Sequence, residues 1–486
     1  MRKNILSLSI AAMVGGLGLA GGASAGLINT GSPNATALEL TPEGIGHINI
    51  VPYYTAQNSN ITALSIVNTD ETNGKAVKVR FRGASNSDDV FDFTLFLSPG
   101  DVWSAKVSQK ANGLAALSTE DNSCTIPTNV GTNAAPRDFV TARLNPKADL
   151  ANETREGYIE ILNMADIAPS TATTSVYYAI KHVSGVTPMA CALGAAATPP
   201  KALRNLLTED GINAAITANE LSSPTTGLFT NWSIIDLADG AAWSGAATAV
   251  VANVGTSGVA GAGNIVLHPQ DNGTPTSGTS LTADPLLVNG AIAIQHFDLP
   301  DLSTPYTTGA TAAAQAAKLT ASLARTSIKN EYVTDDRIGA QTDWVFSMPT
   351  RRYSVALDYT VTSAALSSTA AVFNNSITNY FTSANVVLNG FNTADAQLCV
   401  KGLTRSTYDR SEQSRVNESG GVISPSPVVP GFQLCGEASV VSFNAGSATQ
   451  PSSLGAKVAR RDITLDFENG WINWKTPGAA SGYGLP

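Results

Sequence analysis

The sequence predicts an all-β protein made of β-sandwich-like domains, with one or two connecting helices. Three observations lead to this fold class. Short segments alternate apolar and polar residues, as half-buried strands do. Clusters of Gly, Pro, Asn and Ser separate these segments about every 8–12 residues, which is typical of a sandwich. Only residues 201–221 and 309–329 carry apolar residues at helical spacing.

The clearest strand covers residues 75–82. Its apolar side chains are predicted to face a core, and the basic side chains between them are predicted to face solvent. The first set comprises Val77, Val79 and Phe81, and the second set comprises Lys78, Arg80 and Arg82. A polar turn at 84–89 leads to a second alternating segment at 90–97, so the two segments predict a hairpin with one buried face.

Similar patterns predict further strands along most of the chain. In the first half they are expected at 47–55, 61–68, 101–107, 139–144, 157–162 and 175–182. In the second half they are expected at 234–235, 247–254, 265–268, 343–347, 352–359, 385–388, 397–401, 433–443, 463–467 and 471–474.

Composition and turn residues divide the chain into five parts. Residues 1–25 are predicted to be a signal peptide, 26–45 a linker or arm, and 46–198 the first β-sandwich domain. Residues 199–226, which begin with two prolines, are expected to form a helical connector. Residues 227–486 are expected to form a second β-rich domain with an inserted helix near 309–329.

The first 25 residues have the features of a secretory signal. Arg2 and Lys3 precede an apolar stretch over 5–19, and Ala23-Ser24-Ala25 provides a small-x-small cleavage signature. The alternative is a membrane anchor, but the stretch is shorter than the ~20 residues that a spanning helix needs. We therefore expect an exported protein.

The low charge of the chain excludes one class of function. Charged residues are only 14% of the sequence and the net charge is −9, so the chain lacks the basic surface that binds nucleic acid. Copies of such a sparsely charged protein repel each other little, which favours contact between copies.

Four cysteines are expected to form disulfides, because an exported chain with an even number of cysteines usually pairs them. Three pairings are possible. We favour Cys124 with Cys191 and Cys399 with Cys435, since two cysteines fall in each half. The absence of any CxxC spacing disfavours the alternatives, a metal site or a nucleophilic thiol.

The sequence gives no catalytic signature, so a non-enzymatic protein is expected. No two of the four histidines lie within five residues, which excludes HExxH and HxH sites. A GxGxxG over 16–21 and a GxSxG over 22–26 fall in the signal peptide or across its cleavage site, outside the strand-to-helix context they need. A Ser/His/Asp triad assembled by the fold stays open, but no particular trio is indicated.

Acidic turns are the only candidate metal site. Asp88 and Asp89 lie at a hairpin, and Asp335 and Asp336 follow Tyr332. Oxygen ligands on turns can bind calcium, although no EF-hand spacing is present. The alternative is that these acids are simply solvated. No other cofactor is expected.

The tryptophans allow two interpretations. They could form a sugar-stacking platform, but each lies in an apolar strand context, which favours core packing. They are Trp103, Trp232, Trp243, Trp344, Trp471 and Trp474.

Several segments together resemble a family of exported Gram-negative proteins labelled only "cell surface protein". These segments are GHINIVPYYTAQN, SIVNTD, VRFRGASNSDDVFDF, LSPGDVW, DWVFSMPTRRY and ENGWINW. The resemblance covers most of the chain after the signal peptide. It implies a cell-surface location and a surface-layer-like structural role, and it supplies no catalytic or binding residues.

These observations predict an exported structural protein of a Gram-negative cell envelope, located outside the cell or on its surface. Copies are expected to assemble with one another into a surface layer or filament. An adhesin or module that binds cell-envelope glycans is the alternative, and a secreted hydrolase is a third hypothesis.

Overall fold

The computed structural model describes residues 33–182, 201–255, 258–270, 286–287, 299–374, 380–411, 413–416, 432–445, 452–465 and 467–475. Strands make up 42% of it and helices 14%, which confirms the predicted all-β, sandwich-like class. The longest helix in these ranges has 12 residues, and none is long and apolar enough to cross a membrane.

The first part of the chain forms a sandwich of two antiparallel sheets. Its strands are β1 (Ala37–Thr41), β2 (Ile45–Gly46), β3 (Ile48–Thr55), β4 (Ile61–Asn68), β5 (Gly74–Gly83), β6 (Asp89–Leu97), β7 (Val102–Gln109), β8 (Ala115–Ser118), β9 (Cys124–Ile126), β10 (Arg137–Asp138), β11 (Glu156–Ile167), β12 (Leu221–Ser222), β13 (Leu228–Asp236), β14 (Ala241–Ala246) and β15 (Thr248–Asn253). Sheet one has the order β1-β15-β3-β11-β5-β6-β9, with β12 beside β11. Sheet two has the order β10-β8-β7-β4-β13-β14, with β2 beside β13.

The core lies between these sheets, where the sequence predicts it. Val77, Val79 and Phe81 of β5 are fully buried, and they belong to one cluster with Trp103 of β7 and Ile159 of β11. Because alternate strand residues point to opposite faces, Val77, Val79 and Phe81 all face sheet two.

The expectation that the basic residues of β5 face solvent is wrong. Lys78, Arg80 and Arg82 are at most 1% exposed, because the outer face of sheet one is covered as well. The α-helices of the described ranges are α1 (Leu150–Thr154), α2 (Val176–Ile180), α3 (Lys201–Asn205), α4 (Glu209–Thr217) and α5 (Ala312–Leu323). All but α1 contribute to an apolar cluster on that outer face, together with residues 265–267 and 302–306.

The sheets do not divide at the predicted domain boundaries. Strands β13 and β15, assigned from sequence to the second domain, pair with β4 and β3 of the first sandwich. Strand β1, within the predicted arm, pairs with β15. Helices α3 and α4 pack on sheet one and do not connect two separate units.

The second half contains three smaller sheets. Its strands are β16 (Ser327–Val333), β17 (Asp343–Ser347), β18 (Val355–Leu357), β19 (Ala371–Phe373), β20 (Val386–Asn389), β21 (Gln397–Tyr408), β22 (Ser414–Val416), β23 (Phe432–Cys435), β24 (Ala438–Ala445), β25 (Arg460–Leu465) and β26 (Asn469–Lys475). The largest sheet has the order β16-β26-β21-β20, with β22 and β23 beside β21. The others are β17-β24-β25, with β24 and β25 parallel, and β18-β19.

Several predicted elements differ in type or length. The segments 139–144 and 265–268, expected to be strands, form none, and only β18 lies within the strand expected at 352–359. Residues 175–182 were expected to be a strand, but α2 lies there, because the Ser175 side chain accepts a hydrogen bond from the Tyr178 backbone N–H and caps the helix. The predicted helix at 309–329 is α5 alone, and β16 begins at Ser327.

Candidate functional site

The outer face of sheet one carries a buried layer of charged side chains. Strand β5 contributes Lys78, Arg80 and Arg82, and the neighbouring strands contribute Asp92 from β6 and Glu160 from β11. The strand register places Arg80 directly opposite both acids. Cross-strand pairing therefore sets acids against bases across three central strands.

Each base in this layer meets an acid at ion-pair distance. The Arg82 Nε lies 3.0 Å from the Glu160 Oε1, and the Lys78 Nζ lies 3.1 Å from the Asp92 Oδ2. The Arg80 Nε lies 3.2 Å from an oxygen of Asp89. Buried charges are tolerated only when they are paired in this way.

Burial and neighbouring charges shift the acid–base equilibria of the layer. Burial lowers the pKa of the Lys78 amine to about 8, against the opposing pull of Asp92. Burial would raise the pKa of Asp89, but Arg80 and Arg143 outweigh it and hold that pKa below its ordinary value. Burial raises the pKa of Asp92.

The second half of the chain contributes to the same buried region. The Arg352 Nη1 lies 2.9 Å from the Asp301 Oδ2, and Arg351 pairs with Glu437 at 3.3 Å. In addition, the carboxylate of Glu156 in β11 accepts backbone hydrogen bonds from three consecutive residues, 457–459. The Glu156 hydrogen bonds join the sandwich to the second half.

A separate charged group surrounds Lys75, near the start of β5. Its Nζ lies 2.8 Å from the Asp166 Oδ1, 3.1 Å from the Asp70 Oδ2 and 3.0 Å from the Thr225 hydroxyl. The amide of Asn163 donates to the same Asp166 oxygen at 2.8 Å. Lys75 and Asn163 are completely buried.

The four aspartates expected to bind calcium already contact protein groups. Asp88 accepts a hydrogen bond from the Tyr359 hydroxyl at 2.7 Å, and Asp89 is buried among arginines. Asp335 caps the 3₁₀ turn that contains Asp336. No group of three or more His, Cys, Asp or Glu side chains that could hold a metal ion occurs in the described ranges. Calcium bridging two copies through these turns stays a prediction.

One of the two expected disulfides lies entirely within the described residues. Cys399 of β21 and Cys435 of β23 are register partners, and their sulfurs are 2.04 Å apart. Cys124 is also disulfide-bonded. Cys191 lies outside the described residues, so its pairing with Cys124 stays a prediction.

His47 and His182 both make contacts with other protein groups. His47 is buried, its Nδ1 accepts from the Ala252 backbone N–H, and its Nε2 lies 2.8 Å from the Gly261 carbonyl oxygen. Burial lowers the pKa of His47 to about 4, so the ring is neutral. His182 pairs with Asp101 at 3.1 Å, and His296 lies outside the described residues.

One tryptophan departs from the expected core packing. Trp103, Trp344 and Trp474 are buried, but Trp471 of β26 is 38% exposed. Its ring stacks on Tyr408 of the adjacent β21, with centroids 4.1 Å apart and ring planes within 8°. This aromatic pair stands on the outer face of the largest sheet of the second half.

The two ends of sheet two differ in how they are protected. At one end β10 has only two residues, Arg137 and Asp138, and both are charged. At the other end β14 has six residues without charge or proline, and it pairs only with β13 in the described chain. Charges, prolines and short length are the usual protection of an edge strand, and β14 has none of these.

Comparison of the chain with protein-family models, with curated proteins and with solved structures finds no match. The chain's function therefore has to be inferred from its own geometry. Two features of that geometry face outwards, the β14 edge and the pair formed by Tyr408 and Trp471, whereas the charged layer is enclosed.

Proposed function

We propose that the protein is an exported structural component of a Gram-negative cell envelope, whose copies associate into a surface layer or filament. The β14 edge carries this proposal. Ala242, Ser244 and Ala246 of this strand are exposed. Among the described strands β14 pairs only with β13, so its other side can take a strand of another copy. The small net charge for a chain of this length, with 14% charged residues, offers little repulsion between copies.

The enclosed charged layer also supports a structural role. Its ion pairs join neighbouring strands of sheet one, and the Glu156 carboxylate beside it accepts hydrogen bonds from residues 457–459 of the second half. A rigid subunit of this kind suits a protein that must keep its shape outside the cell.

The proposal can be tested by placing a charged side chain on the β14 edge and measuring self-association. Ser244→Lys puts a repelling charge on β14, and Asn330→Lys is the matched control, because β16 is an exposed edge that already carries Lys329 and Glu331. We expect wild type and Asn330→Lys to form sheets, fibres or large oligomers in electron micrographs and light scattering, and Ser244→Lys to remain small at an unchanged melting temperature. A wild-type protein that is monomeric at high concentration, or a Ser244→Lys variant that assembles normally, contradicts the proposal.

An adhesin that binds envelope glycans is the second candidate, favoured by the exposed ring of Trp471. Polar side chains share its face, among them Asn473, Ser406 and Lys329. Aromatic rings beside hydrogen-bonding groups suit a sugar. On this model a monomer binds isolated envelope polysaccharide, Trp471→Ala abolishes binding, and Thr404→Ala, on the same face, retains it.

A further inference from the structure

Lys75 is a buried lysine whose amine contacts two aspartates, Asp70 and Asp166. It is 0% exposed and lies directly opposite Asp166 of β11, which is 1% exposed. The Lys75 Nζ is 2.8 Å from one carboxylate oxygen of Asp166. The amine and the carboxyl carbon are thus held within reach of each other, with water excluded.

Two hydrogen bonds polarise the Asp166 carboxyl group and favour nucleophilic attack on its carbon. The Asn163 amide donates to its Oδ1, and the Thr225 hydroxyl donates to its Oδ2. Two donors on one carboxyl group stabilise negative charge that develops on its oxygens when a nucleophile attacks the carbon. Asp70, 3.1 Å from the Lys75 Nζ, orients the amine from another side.

We propose that Lys75 and Asp166 join in an amide bond between their side chains, formed by the folded chain without an external reagent. A proton passes from the ammonium to the carboxylate along their hydrogen bond, giving an amine and a carboxylic acid. The amine attacks the carboxyl carbon of Asp166, a carbon–nitrogen bond forms, and a carbon–oxygen bond breaks. The leaving hydroxyl takes a second proton from the nitrogen and departs as water.

Burial favours the product, because the reaction removes two charges from a site that solvates them poorly. Amide formation is accelerated because the fold holds the amine and the carboxyl group in contact. The product covalently ties β5 to β11, two central strands of sheet one, in addition to the disulfides. The crosslink does not depend on whether copies of the protein assemble.

The Lys78–Asp92 pair provides a matched control. Lys78 lies on the same strand, is equally buried and is 3.1 Å from a carboxylate. However, an amide at Asp92 would take away an anion that the buried Arg80 guanidinium pairs with at 3.4 Å. Lys78→Arg should therefore leave the crosslink intact.

The experiment is mass spectrometry of the folded, purified mature chain after denaturation, with tryptic mapping. We expect a mass about 18 Da below that of the disulfide-bonded sequence, the mass of one water, and a branched peptide joining Lys75 to Asp166. Lys75→Arg and Asp166→Ala should each abolish the loss, and Lys78→Arg should retain it.

Three outcomes would overturn the proposal. One is a wild-type mass without the loss, and another is a loss that persists in Lys75→Arg. The third is a loss of about 17 Da, the mass of ammonia, which would place the bond on Asn163 instead. If the variants do not fold, the wild-type mass and the branched peptide decide the question alone.

Discussion

Arg82 and Glu160 meet across β5 and β11, with the guanidinium Nε 3.0 Å from the carboxylate Oε1 and both side chains completely buried. The Tyr158 hydroxyl donates to the same carboxylate oxygen at 3.3 Å. A buried pair of this kind contributes modestly as a whole, but either charge left alone is strongly destabilising. The charged layer should therefore respond very differently to single and double substitutions.

We expect Glu160→Gln to lower the free energy of unfolding by about 3–5 kcal/mol, because the Arg82 charge then stays buried without its partner. The double variant Arg82→Met/Glu160→Leu should be more stable than Glu160→Gln. Chemical denaturation measures both. As a control, Asp138→Asn in the half-exposed pair with Lys110 should cost no more than about 1 kcal/mol. A double variant less stable than either single variant would show that the pair stabilises the fold in its own right.

The two faces of β5 should be equally sensitive to truncation. Phe81→Ala is expected to cost about 3–5 kcal/mol, since the ring is fully buried in the sandwich core. Arg80→Ala should cost a similar amount, because it leaves Asp89 and Asp92 without their shared cation. Thermal melts of the two variants make the comparison. A much smaller loss for Arg80→Ala would indicate that water reaches the layer.

The alternation in β5 predicted its core-facing residues because that pattern is local to the strand. It could not predict burial of the opposite face, since the cover comes from segments distant in sequence, 265–267, 302–306 and 351–353. A signal did exist: Asp92 lies at an outward position of β6, where it can pair with the bases of β5. Acids and bases at outward positions of neighbouring strands indicate mutual pairing as readily as solvent exposure.

The domain boundary was not predictable for a similar reason. The turn residues near 224 and 227 mark a change of element correctly, but turns do not say which sheet the next strand joins. Strand β13 pairs with β4 far back in the chain, and this long-range choice depends on which edge remains open. The exposure of Trp471 was likewise not predictable from the sequence, because its strand context resembles that of the buried Trp474.

Loss of the disulfide between Cys399 and Cys435 should destabilise the second half. The bond closes a loop of 36 residues, so Cys399→Ser/Cys435→Ser is expected to cost about 4 kcal/mol through the entropy of the unfolded chain. Differential scanning calorimetry measures the loss. Non-reducing peptide mapping of the wild-type protein should show Cys124 joined to Cys191, and any disulfide between the two halves would contradict this pairing.

Calcium is predicted to strengthen self-association through the aspartate turns. Calcium accepts oxygen ligands from different chains in flexible geometry, so Asp88 and Asp336 of two copies could share one ion. Light scattering should rise with millimolar calcium and fall with chelator, and sodium chloride at equal ionic strength should not replace calcium. If chelator leaves the scattering unchanged, calcium does not mediate self-association, and the β14 edge remains the proposed contact.

His47 should make the protein sensitive to mild acid. Burial holds its folded-state pKa at about 4, whereas the unfolded chain has the ordinary value near 6.5. Below pH 6.5 the unfolded chain therefore binds a proton that the folded chain excludes, and stability contributed by the neutral ring is lost as the pH falls towards 4. The full loss amounts to about 3 kcal/mol.

Denaturant titrations at a series of pH values should show this loss of stability in wild type. The variant His47→Gln, whose amide can replace both ring hydrogen bonds, should remove it. Equal slopes in the two proteins would mean that other groups, such as the buried carboxylates, cause the acid sensitivity.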